Sequence, residues 1–392
     1  MTGPVISSLL DTDFYKFTMQ QAIFHHYPDA LVEARFHCRT NTNLAPLAER
    51  IREEVVALAG LCFSPGERQW MESTGLFQKD YLNYLQATRL DPDCVTIRAG
   101  AQGLEIDIRG SWLEITLFEI YILAIVSELY GRYLEPVMSL DEGRRRLSNK
   151  LDQLRGAAIQ RMYDGFSFVD FGTRRRFSGA WQRELIACLA ESVPSQFTGT
   201  SNVMLAREFG LRPVGTMAHE WLQAHQALAP DLGASQKQAL KVWLEEYGGE
   251  LGIALTDTIN MDAFLNDFNR GLAQAYQGMR HDSGDPIVWG EKAVSHYESL
   301  GIDPLTRTLV FSDGLNLDMA LRIFRHFRDR IRVSFGIGTW LTNDVGASPL
   351  SIVLKLVSCN GQPVAKISDA PGKTLCLDQG YIAQLRHVYG LC

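Results

Sequence analysis

Hydrophobic and polar positions follow two rhythms along this chain, and the change comes near Trp112. Ahead of it, Leu31-Val32-Glu33-Ala34-Arg35-Phe36-His37-Cys38 alternates with the period of two expected of a half-buried strand. Residues 94–97 and 104–108 also read as strands, and Gly100 and Gly103 mark the turn between them. Helical segments are predicted near 45–59 and 65–86. Asp11-Thr12-Asp13-Phe14-Tyr15-Lys16 reads as a helix start whose acidic and hydroxyl residues cap a helix through 17–24. Residues 1–112 are therefore expected to form an N-terminal α+β domain with antiparallel character.

Beyond Trp112, an apolar helix (114–130) and a charged one (139–162) lead into seven short strand-like runs, each closed by small or polar residues. Run 166–171 passes into Gly172-Thr173-Arg174-Arg175-Arg176, and run 196–198 into Gly199-Thr200-Ser201-Asn202. Run 213–218 stops at His219, and run 251–256 stops at Asp257. Run 275–279 leads into Arg280-His281-Asp282-Ser283-Gly284-Asp285. Run 307–311 ends in Ser312-Asp313-Gly314, and run 332–335 in Gly336-Ile337-Gly338-Thr339. Most are separated by amphipathic helices; 317–327 is the clearest, with apolar residues at 317, 320, 321, 324 and 327. Alternating β and α units imply a parallel sheet. Polar groups at nearly every strand end favour a barrel, where all carboxyl ends converge, over an open sheet with one switch point. The fold expected is α/β: an irregular β/α barrel over 113–340 beside the N-terminal domain. Residues 341–392 are expected to close the barrel through 352–357 and then pack on that domain.

Composition narrows the chemistry. With 46% hydrophobic and 21% charged residues, 392 positions suit a large core plus a second domain. A net charge of −7 excludes a global basic field for nucleic acid. The dense arginines at 174–176 point instead to a small anion held in one place, whereas Arg144 to Arg146 read as a solvated helix face. Seven scattered cysteines, odd in number and without Cys-x-x-Cys, fit reduced thiols in the cytoplasm and not a zinc site. The apolar run 115–126 is broken by Glu119 and is too short to span a bilayer, so no membrane partner is expected. No basic-then-apolar opening suggests a signal peptide.

The strand ends carry the candidate chemistry. Histidine at a strand end can act as base, acid or nucleophile, which makes His219 the first candidate. Its neighbours do not form His-Glu-x-x-His, because position 223 is Gln. Asp313-Gly314 and Gly336-Ile337-Gly338-Thr339 stand before predicted helices, where bare backbone N–H groups and the helix dipole suit a phosphate. Arg280 offers a planar fork for phosphate or pyrophosphate. Asp282 and Asp257 can accept from sugar hydroxyls or hold Mg²⁺. Phe171 with Arg174 and Arg175 suits a planar aromatic carboxylate. A barrel lyase or isomerase acting on a sugar phosphate would share the phosphate loops but often needs a lysine, and none lies at the seven strand ends. A non-catalytic sensor should lack His219 or Arg280, and both are present.

Taken in order, the seven motifs resemble the ATP-using nicotinate phosphoribosyltransferase family over nearly the whole chain. They are Leu10-Asp11-Thr12-Asp13-Phe14-Tyr15-Lys16, Asp170 to Arg176, Gly199 to Asn202, Met217-Ala218-His219-Glu220, Arg280 to Asp285, Phe311 to Gly314, and Phe335 to Thr339. The resemblance implies a homodimer that makes nicotinate mononucleotide and pyrophosphate from nicotinate and 5-phosphoribosyl 1-pyrophosphate, the first step of NAD synthesis from nicotinate. It implies Mg²⁺ and coupled ATP hydrolysis through a transient phosphohistidine, with His219 at the matching position. By matching motifs, Asp313, Gly314, Gly336 and Gly338 would hold the 5′-phosphate, and Asp257 and Asp282 would contact ribose hydroxyls or Mg²⁺. Phe171 would stack on the pyridine, Arg174 or Arg175 would face its carboxylate, and Tyr15 would come from the partner subunit. Thr200 and Ser201 fall in the substrate-binding set. Nicotinamide-using relatives carry an acid where Ser201 stands, so nicotinate is the expected substrate.

Overall fold

A computed structural model describes residues 3–100, 103–369, 374, 376 and 378–391; of the seven cysteines, Cys392 lies outside that set. The strands are β1 (Leu31–Cys38), β2 (Val95–Gly100), β3 (Gly103–Ser111), β4 (Phe168–Asp170), β5 (Phe197–Thr200), β6 (Arg212–Pro213), β7 (Ile253–Leu255), β8 (Gly278–His281), β9 (Thr308–Phe311), β10 (Arg332–Ile337), β11 (Ile352–Cys359) and β12 (Gln362–Pro363).

They make two sheets. One holds seven parallel strands in the order β6-β5-β4-β10-β9-β8-β7. β4 and β8 are buried along their whole length, as expected of parallel strands covered on both faces. The seven runs are thus gathered as the sequence suggests, with a seam between edge strands β6 and β7. The run predicted over 213–218 pairs only at its start. Pro213 brings no N–H, and beyond it the chain is drawn against the helix Phe14–His26, where a Cβ on Gly215 would lie 2.8 Å from Tyr15 N. His219 therefore sits at the first position of the helix His219–Leu228, inside the seam, and not on a strand.

The other sheet is antiparallel, in the order β12-β11-β1-β3-β2. β11 pairs with β1 from Val32↔Cys359 to Cys38↔Ile352. This corrects the expectation that 352–357 adds to the barrel. Ile352, Leu354 and Leu356 are buried while Val353, Lys355 and Val357 are not, which is the period of a one-sided antiparallel strand. The predicted helix 65–86 is two, Pro65–Ser73 and Lys79–Ala87, parted at Gly75 with φ +74°.

The helix Phe14–His26 is buried from Phe14 to Ile23, polar residues included. Each polar side chain must then find a partner. Gln20 Nε2 donates to Leu113 O at 2.7 Å, and Lys16 lies between Glu119 and Glu220 at 2.6 and 2.5 Å. Among the described residues no helix is long and apolar enough to cross a membrane.

Candidate active site

The carboxyl ends of β8, β9, β10 and β4, the seam helix at His219, and the inner face of β1 and β11 enclose a cavity of about 700 Å³. Tyr15, Phe171, Arg174, Arg175, His219, Arg280, Asp282, Asp313, Gly314 and Gly338 line it. Asp257 stands immediately behind His219. Ten of the fourteen residues singled out in the sequence thus share one surface.

His219 is the pivot. Its Nε2 lies 2.7 Å from Asp257 Oδ1 and 3.7 Å from Asp282 Oδ2. Burial, and then the ammonium of Lys366, lower its pKa against the pull of Asp257, which favours a neutral ring. Burial alone would raise the Asp257 pKa, but His219 and Lys366 hold it well below the usual carboxylate range. Lys366 Nζ is 2.7 Å from Asp257 Oδ2 and 2.9 Å from His219 Nε2. His219, Asp257 and Asp282 have the donor set of a divalent cation site, with ligand atoms within 4.8 Å of one another. That space is filled by the Lys366 ammonium, and Ser283 Oγ also donates to Asp257 Oδ2, at 2.6 Å. A metal at Asp257 does not fit while Lys366 stays.

Arg280, only 6% exposed, is held as a preset fork. Nε donates to Ser312 Oγ at 2.8 Å, Nη1 to Thr216 Oγ1 at 3.1 Å and Nη2 to Asp282 Oδ1 at 3.4 Å. Its guanidinium stands 5.6 Å from the Phe171 ring centroid. Arg174 reaches towards Asp13 at 3.7 Å; Tyr15, Asp13 and Glu119 more than offset its burial and keep it firmly charged. Burial and the neighbouring Arg174 push Arg175 down to about 10. Phe171 with two guanidiniums is a wall that can take a flat anion. Tyr15 lines the cavity of its own chain and donates to Glu119 Oε2 at 3.4 Å. The contact with Gly215 fixes it there.

Asp313 and Gly314, with φ +60° at Gly314, form the turn after β9 and precede the helix Leu317–Phe327. Gly338 opens the single turn Thr339–Thr342 after the adjacent strand β10. Gly336 is different. A Cβ there would fall 2.2 Å from the Phe171 ring, so this glycine makes room for Phe171 beneath the cavity surface and does not line it. Thr200 and Ser201 are also off the surface. Thr200 Oγ1 donates to Asp170 Oδ2 at 2.8 Å, and Ser201 Oγ donates to Asp13 Oδ1 at 2.7 Å. Asp13 in turn lies 3.7 Å from Arg174.

Sequence reasoning missed four cavity cations: Arg39, Arg146, Lys355 and Lys366. Burial, then Lys366 and Arg39, push Lys355 down to about 7. Arg146 belongs to a run read as solvated. Arg144 and Arg145 fit that reading, with exposed ion pairs to Asp141, Glu184 and Glu142, while Arg146 turns inward to Asp344. The absence of lysine from the seven strand ends also misled, because both lysines come from the C-terminal segment. One signal was present: Pro363-Val364-Ala365 is an apolar run that stops at Lys366, the same pattern that pointed to His219.

Comparison with known proteins gives this arrangement a context. Residues 166–392 match the family described as nicotinate phosphoribosyltransferase (NAPRTase), and residues 10–127 match the N-terminal domain of that family. The nicotinate phosphoribosyltransferase of Pectobacterium atrosepticum is 49% identical over 391 residues, covering 100% of this chain and 97% of the relative. That of Ectopseudomonas mendocina is 50% identical over 386 residues, covering 98% and 97%. The crystal structure of nicotinate phosphoribosyltransferase from Vibrio cholerae superposes with a TM-score of 0.96 at 44% identity, over 100% of this chain and 95% of that one. With both sheets and the cavity between them inside the matched span, the chain belongs to the nicotinate phosphoribosyltransferase family.

Proposed function

We propose that this enzyme joins nicotinate to the ribosyl carbon of 5-phosphoribosyl 1-pyrophosphate, releasing pyrophosphate, and that ATP hydrolysis through His219 drives it. The observation that carries the reading is one cavity in which Phe171, Arg174 and Arg175 face the phosphate-type turns at Asp313-Gly314 and Gly338, with Arg280 between aromatic wall and acids. Phe171 supports the pyridine ring, and one of the two arginines meets its carboxylate. The turns receive the 5′-phosphate. Asp282 lies where ribose hydroxyls would donate.

In the transfer step the bond from the ribosyl carbon to the pyrophosphate oxygen breaks and the pyridine nitrogen bonds to that carbon. The electron pair leaves with pyrophosphate, and no proton moves. Positive charge grows on the sugar and negative charge on the leaving group. Arg280, already fixed by three side chains, needs no reorganisation to meet the latter. Its carboxylate neighbours meet the former.

In the coupled step a neutral His219 attacks the γ-phosphorus of ATP, ADP leaves, and water later returns the histidine and phosphate. The phosphorylated state favours the substrate-binding conformation, a shift in population fed by ATP. The Mg²⁺ implied by the resemblance has no place at Asp257 beside Lys366. A homodimer working in the cytoplasm on the route from nicotinate to NAD completes the reading; six free cysteines among the described residues accord with a reducing compartment. Incubation with nicotinate, 5-phosphoribosyl 1-pyrophosphate and γ-labelled ATP tests it. Nicotinate mononucleotide and an acid-labile, base-stable label on His219 are expected. Product without label would remove the ATP-coupled part, and no product would remove the whole.

A further inference from the structure

We infer that Lys366 is the resident cation of the His219–Asp257–Asp282 cluster: its ammonium stands where a metal would otherwise bind and positions the His219 imidazole for phosphoryl transfer. The inference deepens the ATP-coupled reading above and rests on it. Three distances carry it. Nζ lies 2.7 Å from Asp257 Oδ2, 2.9 Å from His219 Nε2 and 3.9 Å from Asp282 Oδ2, so it sits among all three candidate ligands at once. An ammonium has three donors and no acceptor, which matches a site made of two carboxylates and a ring nitrogen.

Lys366 is not there by chance of a long side chain. The backbone on one side of it is strapped to the helix that carries His219: Ala365 N donates to Gln226 Oε1 at 2.8 Å, and Gln226 Nε2 returns to Ala365 O at 2.7 Å. On the other side, Ile367 N donates to Thr258 O at 2.8 Å, one residue beyond Asp257. The same two elements that present the histidine and its carboxylate therefore hold the lysine. Val364 and Ala365 are fully buried, which pins the segment further. Asp257 Oδ2 also accepts from Ser283, which in turn accepts from Ser368 Oγ at 3.0 Å, so the carboxylate is fixed from behind.

The contacts define two arrangements of the ring. While Nζ donates to Nε2, the imidazole proton is on Nδ1 and neither nitrogen is open to attack phosphorus. Lys366 also lines the cavity. A polyphosphate entering it draws the ammonium towards the new charge. The ring then changes tautomer by exchange with solvent, losing the Nδ1 proton and taking one on Nε2, so that Nε2–H donates to Asp257 Oδ1, at 2.7 Å, and Nδ1 holds the free lone pair. The Nδ1–Pγ bond forms, the bond from Pγ to the bridging oxygen breaks, and ADP carries off the electron pair. The Nε2 proton stays, shared with Asp257, and Lys366 offsets the charge added to the ring.

Three variants test this, with Co²⁺ alone as one probe and γ-labelled ATP as the other. Lys366→Ala opens the cluster and should bind one Co²⁺ per chain, with a ligand-field spectrum that wild type lacks and that Asp257→Ala added to it abolishes. Lys366→Met fills the space without charge and should lower phosphohistidine labelling about 10- to 100-fold. Lys366→Arg should exclude Co²⁺ as wild type does. Co²⁺ bound at His219 in wild type would overturn the inference, and so would undiminished labelling of Lys366→Met. Should Lys366→Ala fail to fold, the Met variant decides. Absence of label from every protein, wild type included, would sink the ATP-coupled reading, and the Co²⁺ measurement would still judge Lys366 as the resident cation.

Discussion

Arg174 and Arg176 stand two residues apart in one turn, yet they meet opposite fates. Arg176 is fully buried and grips Asp11 with both Nη atoms, at 2.6 and 2.7 Å, while Asn202 Nδ2 donates to the same carboxylate at 2.8 Å. Arg174 turns to the cavity, where its ion pair with Asp13 is a long one at 3.7 Å. The split extends through the motifs. Asp11, Asp13, Asp170, Arg176, Thr200, Ser201 and Asn202 hydrogen-bond among themselves and tie the N-terminal segment to the ends of β4 and β5. Phe14 N to Ser201 O, at 2.7 Å, and Val203 N to Thr12 O, at 3.0 Å, finish that seam. Arg174, Arg175, His219, Arg280, Asp282 and the two lysines line the cavity. A motif recurring in a family can therefore be a clasp in one half and a site in the other, and only the geometry separates them.

The sharpest break of this contrast is Arg176→Ala. It leaves Asp11 buried without its partner, and the expected loss is about 3–5 kcal/mol of unfolding free energy, read by denaturant titration. Arg174→Ala should instead keep the midpoint within about 1 kcal/mol and raise the KM for nicotinate about 10- to 100-fold, the value of one charge-assisted contact. If Arg176→Ala changed KM and left stability untouched, the clasp reading would be wrong. Gly336→Ala should fall between the two halves. Forcing a Cβ against the Phe171 ring costs about 1–3 kcal/mol and displaces the aromatic wall, so stability and nicotinate affinity should drop together.

The smallest effect is a pH dependence. Lys355 is charged below about 7 and neutral above it, because burial and neighbouring cations disfavour its charge. Pyrophosphate affinity, by titration calorimetry, should fall about fivefold from pH 6 to 8, and Lys355→Arg should flatten that profile. For folding the sign is opposite. Between about 7 and the ordinary lysine value the unfolded chain binds more protons, so this group adds stability as pH rises through that window.

The barrel units were legible because parallel strands buried on both faces leave short apolar runs, and the polar residues closing them stand out. His219, Arg280 and Asp313-Gly314 were found that way. Three readings failed for physical reasons. Gly336 resembles a phosphate-loop glycine, but its smallness serves the Phe171 ring. Run 352–357 looked like a barrel strand, although its alternating burial belongs to the sheet around β1. Lys355 reaches the cavity from a strand pairing more than 300 residues apart in sequence, Arg35↔Lys355, which no local pattern encodes.

A crystal structure with nicotinate mononucleotide bound tests the division between clasp and site most directly. The pyridine should lie on Phe171 with its carboxylate on Arg174 or Arg175, the phosphate at Gly314 and Gly338, and the Asp11–Arg176 pair unmoved. A nucleotide phosphate or carboxylate held by Arg176, Thr200 or Ser201, with Asp11 released, would contradict it.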